Sequence, residues 1–597
     1  MKGRRQFFKS LLKVGVAPAL LRRPARGASL VRQPYLQSMS DGSTFVVWAT
    51  EGGGTGEVRF SEDPRLLRRS SQLARELTPA DTELDRSYFR HAVKLEGLRP
   101  DTDYYYRVFL DGQPLMGEEP QRFRTPGERP FTFLALGDSG SGSSEQKQLA
   151  ALMNQEPAEL VLHLGDLAYP RGAFAEYHSH YFDVYRDLMK RVPFHPCPGN
   201  HGYMTREAFP YLTVHELPQV DAAPAAEKGR YYSFDWANVH FVSLDTNTPL
   251  VRASRGNSPM LRWLDEDLAA ADKFWKIVYF HHPPYAGGPN ETDPLSIMAR
   301  ELIVPILERH NVQLVLNGHE HSYQRTAPIR NGKEASAAEG ITYITGGGGG
   351  VHLYEVYPHP LVKFGRSVHC YLRVDVTDAK LRVRAVGTSG DVIDEVTLTP
   401  PPVAHSAVNA VTGDPRLAAG ALASVYGRQL APYARGGSAP FSERFGGLAA
   451  EVNGHPAKLL YVSPGQVNVQ LPYGIGAGST LTLKTAGGET SLPLSLGEAA
   501  PGILAVARED GVAVSQDEPA RAGAALMVYA AGLGEADTAK QVRVLLDGGA
   551  VTVHSIDASP EQPGVSVIRI AAPPRTARLQ LSAGGVMSNA VMVVVTG

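Results

Sequence analysis

Two kinds of apolar pattern alternate along the chain, and their order divides it. Between residues 29 and 126, short runs of period-two spacing are broken by Gly, Pro and Asp. They predict strands at 44–50 (around Trp48), 56–60, 89–95, 103–110 and 122–125, which together make a small β-sandwich. From 127 to 402, β-type runs alternate with helical stretches. The runs at 131–136, 160–164, 277–280 and 312–316 are largely apolar, and helices are expected at 144–154, 174–190, 259–271 and 294–310. After residue 321, strands return at 341–345, 368–376, 381–386 and 392–398. That order predicts a sheet sandwich covered by helices. The triplet Pro400-Pro401-Pro402 makes a stiff joint. Beyond it, 403–597 is rich in Ala, Gly and Val and carries a weak repeat. Val452-Asn453-Gly454, Ser463-Pro464, Val467-Asn468-Val469 and Gly487-Gly488 are echoed by Leu546-Asp547-Gly548, Ser559-Pro560, Val565-Ser566-Val567 and Gly584-Gly585. Two β units of similar plan are expected there. The fold class is therefore multidomain: an N-terminal β-sandwich, a central α/β sandwich and a C-terminal all-β module.

Chemistry concentrates where the central apolar runs end. Five segments carry it: Gly137-Asp138-Ser139-Gly140, Gly165-Asp166-Leu167-Ala168-Tyr169, Gly199-Asn200-His201, Val278-Tyr279-Phe280-His281 and Gly318-His319-Glu320-His321. In a parallel α/β sheet such strand ends gather at one edge, where ligands bind. Carboxylate, phenolate, amide oxygen and imidazole are donors for hard and borderline cations. One metal would take Asp138, Asp166, Tyr169 and His321. The other would take Asp166, Asn200, His281 and His319, with Asp166 bridging through its two oxygens. Two Asp and a phenolate set three negative charges against a ferric and a divalent ion. A bridging hydroxide leaves a small positive excess to attract a phosphate dianion.

Composition narrows the class further. The chain has 597 residues, 59 basic and 61 acidic, for a net charge of −2. The first 28 residues hold basic groups and no acid, so the remainder is more acidic, and nucleic acid is not expected as a main partner. Those 28 residues read as a twin-arginine export signal: Arg4-Arg5, then Phe7-Phe8-Lys9, an apolar stretch from Leu11 to Leu21, and Ala25-Arg26-Gly27. A periplasmic or secreted location follows, and no later run is long enough to span a bilayer. The two cysteines, Cys197 and Cys370, are expected as buried thiols, with a disulfide the alternative.

The five segments resemble the motifs of purple acid phosphatases among the calcineurin-like metallophosphoesterases: GDxG, GDxxY, GNH, VxxH and GHxH, in order. Pro34-Tyr35-Leu36-Gln37 resembles the opening of that family's N-terminal domain, and 98–104 resembles a corner of fibronectin type III domains. The C-terminal stretch is similar to an immunoglobulin-like module of secreted bacterial proteins. The resemblance implies these divisions: signal 1–28, fibronectin type III-like domain 29–126, metallophosphoesterase domain 127–402 and β module 403–597. It implies ferric iron beside divalent iron, zinc or manganese, and acid hydrolysis of phosphomonoesters by a metal-bound hydroxide. His201 and His282 are the catalytic candidates. His201 could donate a proton to the leaving oxygen or hold the phosphate; His282 enters the cleft only if its strand ends before it. Two departures stand out. Gly202 occupies the place of a family Glu, and residues 283–309 contain no histidine. Phosphodiesters or nucleotides on the same metals are an alternative. So is a surface-binding protein with a vestigial catalytic domain, and the tail could make cell-surface contact.

Outside the motifs, the patterns point to ordinary roles. Arg325 is expected in surface packing, His178 and His180 point apart on a helix, and Gly346–Gly350 reads as a flexible loop bordering the cleft.

Overall fold

The computed structural model describes residues 29–253 and 258–596, so the expected signal segment lies outside it. The N-terminal β-sandwich has one sheet of Leu30–Gln37, Ser43–Thr50, Tyr88–Glu96 and Arg75–Leu77. The other contains Thr55–Ser61, Arg68–Leu73, Asp103–Leu110 and Gln121–Arg124. Period-two alternation turns Trp48, Val58, Val93, Tyr104 and Phe123 into the shared core. Trp48 stacks on His91, ring centroids 4.8 Å apart. This unit is tied to the next by Tyr35 Oη donating to Val214 O (2.5 Å), Tyr106 Oη donating to Lys190 O (2.7 Å) and an Arg90–Glu216 ion pair.

The central region is a sandwich of two mixed sheets. One has the order Phe194–Pro196, Leu160–His163, Phe131–Leu136, Cys370–Val376, Leu381–Gly387, Val392–Leu398. The other runs Tyr232–Trp236, Val239–Ser243, Trp275–Tyr279, Leu314–Asn317, Thr342–Gly346, Tyr323–Thr326, Val362–Arg366. Within each sheet the strands that carry the motifs are parallel. The largely apolar runs have a simple cause, because both faces of these strands are buried. Phe133, Ala135, Ile277 and Leu316 face the opposite sheet. Leu134, Leu136 and Val161 face helices on one outer side, and Val242, Val278 and Val315 face helices on the other.

The expected helices form as Ser144–Met153, Phe174–Met189, Pro259–Ala270 and Pro294–Arg309, two of them interrupted by π segments. Tyr177–Phe182 is one such segment and Ala299–Ile303 the other. The second lies just before Pro305, which has no amide hydrogen for the regular ladder. Ser143 caps the first helix by accepting from Gln146 N. Cys197 and Cys370 are both buried free thiols.

The C-terminal region repeats one plan twice. Val403–Asn409, Leu422–Arg428, Gln466–Gln470 and Lys458–Val462 form a sheet in that order, and Gly502–Arg508, Ala525–Ala531, Val565–Ala571 and Val553–Ala558 repeat it. A second sheet closes each unit over its own core. The first unit touches the central region near strand starts. Gln429 Nε2 reaches Phe274 O at 3.5 Å, just ahead of Trp275–Tyr279, and Arg435 pairs with Glu128 at 2.7 Å, just ahead of Phe131–Leu136. The motif residues lie at the opposite ends of the same strands. Among the described residues, no helix is long and apolar enough to cross a membrane.

Candidate metal centre

Each motif strand ends, and the chain turns sharply to aim a side chain over the sheet edge. Asp138, Asp166 and His319 have positive φ of 56°, 53° and 68°. Such conformations cost L-residues roughly 1 kcal/mol or more and cluster at functional sites. Glycines before the ligands allow the turns to approach one another. A Cβ on Gly318 would lie 2.6 Å from Asp138 Oδ2 and 2.7 Å from Leu164 O.

The two sheets share the site. Asp138, Asp166, Tyr169 and Asn200 follow strands of the six-stranded sheet, and His281, His319 and His321 follow strands of the seven-stranded one. Their polar atoms meet. Tyr169 Oη lies 3.0 Å from Asp138 Oδ1, 3.1 Å from Asp166 Oδ2 and 3.4 Å from His321 Nε2. His281 Nε2 lies 3.3 Å from Asp166 Oδ2 and 2.9 Å from Asn200 Oδ1. One ligand atom from each of Asp138, Asp166 and His281 falls within 4.8 Å of the others, and so do those of His281, His282 and His319.

Backbone amides fix the carboxylates. Asp138 Oδ2 accepts from His319 N at 2.8 Å, and Asp166 Oδ1 accepts from His201 N at 2.9 Å. Asp138 Oδ1 and Asp166 Oδ2 are the oxygens that lie closest to Tyr169 Oη and His281 Nε2. The imidazoles are fixed by the same device. His281 Nδ1 bonds Leu164 O at 2.9 Å and His321 Nδ1 bonds His352 O at 2.8 Å, leaving each Nε2 inward.

Charge in this buried cluster is strongly coupled. Burial opposes the charge on His281, but Asp166 and Asp138 raise its pKa to about 9. Burial opposes ionisation of Asp166 too, and His281 outweighs it, holding that carboxyl below its usual range. Burial and then the two aspartates push the Tyr169 phenol well above 10. Protons therefore balance the carboxylates, and cations can replace them. The donor set fits hard or borderline cations. His319 Nε2 is buried, with no hydrogen bond and Asp293 Oδ2 3.6 Å away, so it is open to a cation.

The other candidates are placed as follows. His201 is partly exposed at the mouth, with Nδ1 2.6 Å from Pro170 O, Nε2 4.0 Å from Asp166 Oδ2 and its ring 4.3 Å from that of Tyr169. His282 is buried, 1% exposed, and its Nδ1 meets Thr246 Oγ1 at 2.7 Å. Arg325 forms an ion pair with Asp394 at 2.6 Å. His180 Nδ1 lies 3.2 Å from Tyr169 O. Gly346–Gly350 is buried and wedged against Asp138 and Glu320, so it is a packed spacer and not a flexible loop.

Sequence reasoning missed three neighbours. Tyr354 stacks on His321 at 4.0 Å, and exposed His352 lies beside it, ring centroids 5.1 Å from His321. His352 brings an imidazole to the mouth from a loop outside 283–309. Thr246 lies in Asp245-Thr246-Asn247, directly after the apolar run 239–244. That polar strand end has the same signature as the five segments and was open to detection.

Comparison with known proteins agrees with this geometry. Residues 131–323 match the calcineurin-like phosphoesterase profile, and 31–125 match the purple acid phosphatase N-terminal domain. Purple acid phosphatase 18 of Arabidopsis thaliana is 29% identical over 54% of this chain and 72% of its own length. Purple acid phosphatase 21 of the same plant is 30% identical over 49% of this chain and 66% of its own. A purple acid phosphatase from yellow lupin (Lupinus luteus) seeds shares the fold, with a TM-score of 0.52 at 19% identity, covering 62% of this chain and 74% of that one. The chain thus carries a purple acid phosphatase N-terminal domain followed by a calcineurin-like phosphoesterase domain with a candidate metal-binding cluster at its strand ends, and is a purple acid phosphatase-like, metal-dependent phosphoesterase.

Proposed function

We propose that the chain is an exported acid phosphatase that hydrolyses phosphomonoesters with a ferric and a divalent ion. The observation that carries this reading is the meeting of Asp138, Asp166, Tyr169, His281 and His321 within 3.0–3.9 Å at one sheet edge. Asp138, Asp166, Tyr169 and His321 hold the ferric ion in this reading. Asp166, Asn200, His281 and His319 hold the divalent one. When bound, the cations neutralise the phosphate and acidify water in the cleft.

The chain's own groups do the rest. The amides of His201 and His319 keep the two aspartates in place, so no ligand must reorganise when substrate arrives. Pro170 O takes the Nδ1 hydrogen of His201. Any proton that His201 hands on is therefore carried at Nε2. From the mouth it can hand that proton to the leaving oxygen. The tail attaches away from the cleft, consistent with a surface-contact or spacing role. The N-terminal basic and apolar pattern supports export.

Metal analysis of the purified protein, with hydrolysis measured on a phosphomonoester and a phosphodiester from pH 4 to 8, tests the reading. Iron plus one divalent metal, and faster monoester turnover at acidic pH, is the expected result. A protein that carries two metals and hydrolyses neither ester would sink it.

A further inference from the structure

Of the imidazoles in the two groups of converging ligand atoms, the ligand scheme above leaves His282 unused. His282 follows His281 directly. In an extended strand such neighbours face opposite sides. Here the regular strand ends at Tyr279 and Pro283-Pro284 follows, and the two rings lie on one side with centroids 5.0 Å apart. The His282 ring is also 4.5 Å from that of His319. One nitrogen of each of the three rings lies within 4.8 Å of the other two.

The His282 ring is anchored like those of its neighbours. Its Nδ1 lies 2.7 Å from Thr246 Oγ1, as His281 Nδ1 meets Leu164 O and His321 Nδ1 meets His352 O. A hydrogen bond at one ring nitrogen that leaves the other as a free lone pair is the usual device of metal-ligating histidines. His282 Nε2 is buried and has no hydrogen-bond partner. An unpaired buried polar atom costs roughly 1–3 kcal/mol. His195 shows what an orphan imidazole looks like without a ligand role. Both its nitrogens lack partners, and it stacks on Phe234 at 4.0 Å inside an apolar core. His282 is instead one of three rings converging at the second metal position.

We infer that His282 is a direct ligand of the divalent cation, which three imidazoles, His281, His282 and His319, then hold together with Asn200 and Asp166 Oδ2. The inference rests on the dinuclear reading and deepens it, because it selects the metal. A third nitrogen donor makes the position borderline in softness. It should prefer zinc to manganese, which suits carboxylate and water better.

Zinc titration of the metal-stripped full chain tests this, with bound metal counted after equilibrium dialysis. The wild type should take two zinc ions, and its second site should favour zinc over manganese. His282→Gln and His282→Phe should weaken one site at least about 10-fold and leave the other unchanged. Thr246→Val, which keeps the ring but frees Nδ1, should weaken the same site by a smaller factor. Cobalt loading gives a second readout, because its visible spectrum reports coordination number and should change in His282→Gln. If both His282 variants bind two zinc ions with wild-type affinity and an unchanged cobalt spectrum, His282 is no ligand. If substitution at His282 prevents folding, Thr246→Val decides by its zinc affinity. Failure of the wild type to hold two metals or to hydrolyse phosphate esters would instead overturn the dinuclear reading.

Discussion

Replacing Gly318 by Ala adds one methyl group and alters no ligand. The backbone at Gly318 is not left-handed, so any effect is a matter of space. The new Cβ would lie 2.6 Å from Asp138 Oδ2, 2.7 Å from Leu164 O and 3.1 Å from His281 Nδ1. Those atoms belong to a ligand carboxylate and to the hydrogen bond that orients a ligand imidazole. Leu164 O is backbone, and Asp138 Oδ2 is held by the His319 amide. Ordinary contact needs the carboxylate or the Leu164 carbonyl to retreat by about 0.5–1 Å, beyond the tolerance of a preorganised site. Misplacement by about 1 Å costs on the order of 100-fold in rate, or about 2.7 kcal/mol in the barrier. Overpacking should cost a further 1–3 kcal/mol or so of stability. The assay is kcat/KM on a phosphomonoester, with metal content by mass spectrometry and unfolding by calorimetry. Gly42→Ala is the control, because a Cβ there meets nothing within 4 Å. A Gly318→Ala enzyme with full metal load and kcat/KM within threefold of wild type would refute the close-approach argument.

Four further outcomes are expected. His201→Ala should keep both metals and slow hydrolysis by about 100- to 10,000-fold for poor leaving groups and less for good ones; equal slowing would mean that His201 positions phosphate instead. The iron-loaded protein should be purple or pink, and Tyr169→Phe should bleach it and loosen ferric iron; stoichiometric ferric iron with no visible band would rule out tyrosinate. Deleting 403–597 should leave kcat/KM within about threefold, since the Arg435–Glu128 contact is exposed and such pairs contribute about 0–1 kcal/mol; a folded, metal-loaded truncation without activity would assign the tail a part in the cleft. Finally, burial opposes charge on His240, but bonds to Asp235 and Asp267 outweigh it and raise its pKa from 6.5 to about 9. That clamp should contribute fully below pH 6.5 and be lost as pH rises through 9, a difference of about 3 kcal/mol; denaturant unfolding at both pH values should show that loss in wild type and not in His240→Gln.

The strands and ligands were legible because their causes are local. Burial on both faces writes a largely apolar run into Phe131–Leu136, and a turn that must crowd its neighbours writes Gly before Asp138, Asp166 and His319. What was not legible depends on atoms far away in sequence. Asp166 is oriented by the amide of His201, 35 residues later. The direction of His282 depends on Thr246, 36 residues earlier. His352 and Tyr354 reach the mouth from a loop with no motif, and they meet His321 through its bonds to His352 O and Tyr354 N. The π segments at Tyr177–Phe182 and Ala299–Ile303 left the helical periodicity readable, while the interruptions themselves were not anticipated.

The division of the ligands between two sheets carries a thermodynamic consequence. In the ligand scheme proposed above, neither sheet alone offers a complete set for either metal, so on that scheme metal affinity and the packing of one sheet on the other are linked functions. Whatever loosens the seam weakens the metals, and whatever loads the metals tightens the seam. Trimming Phe133 or Ile277, buried between the sheets and absent from the ligand set, should therefore lower metal affinity as well as stability. The free energy of metal binding is in part the free energy of joining the two halves of the sandwich.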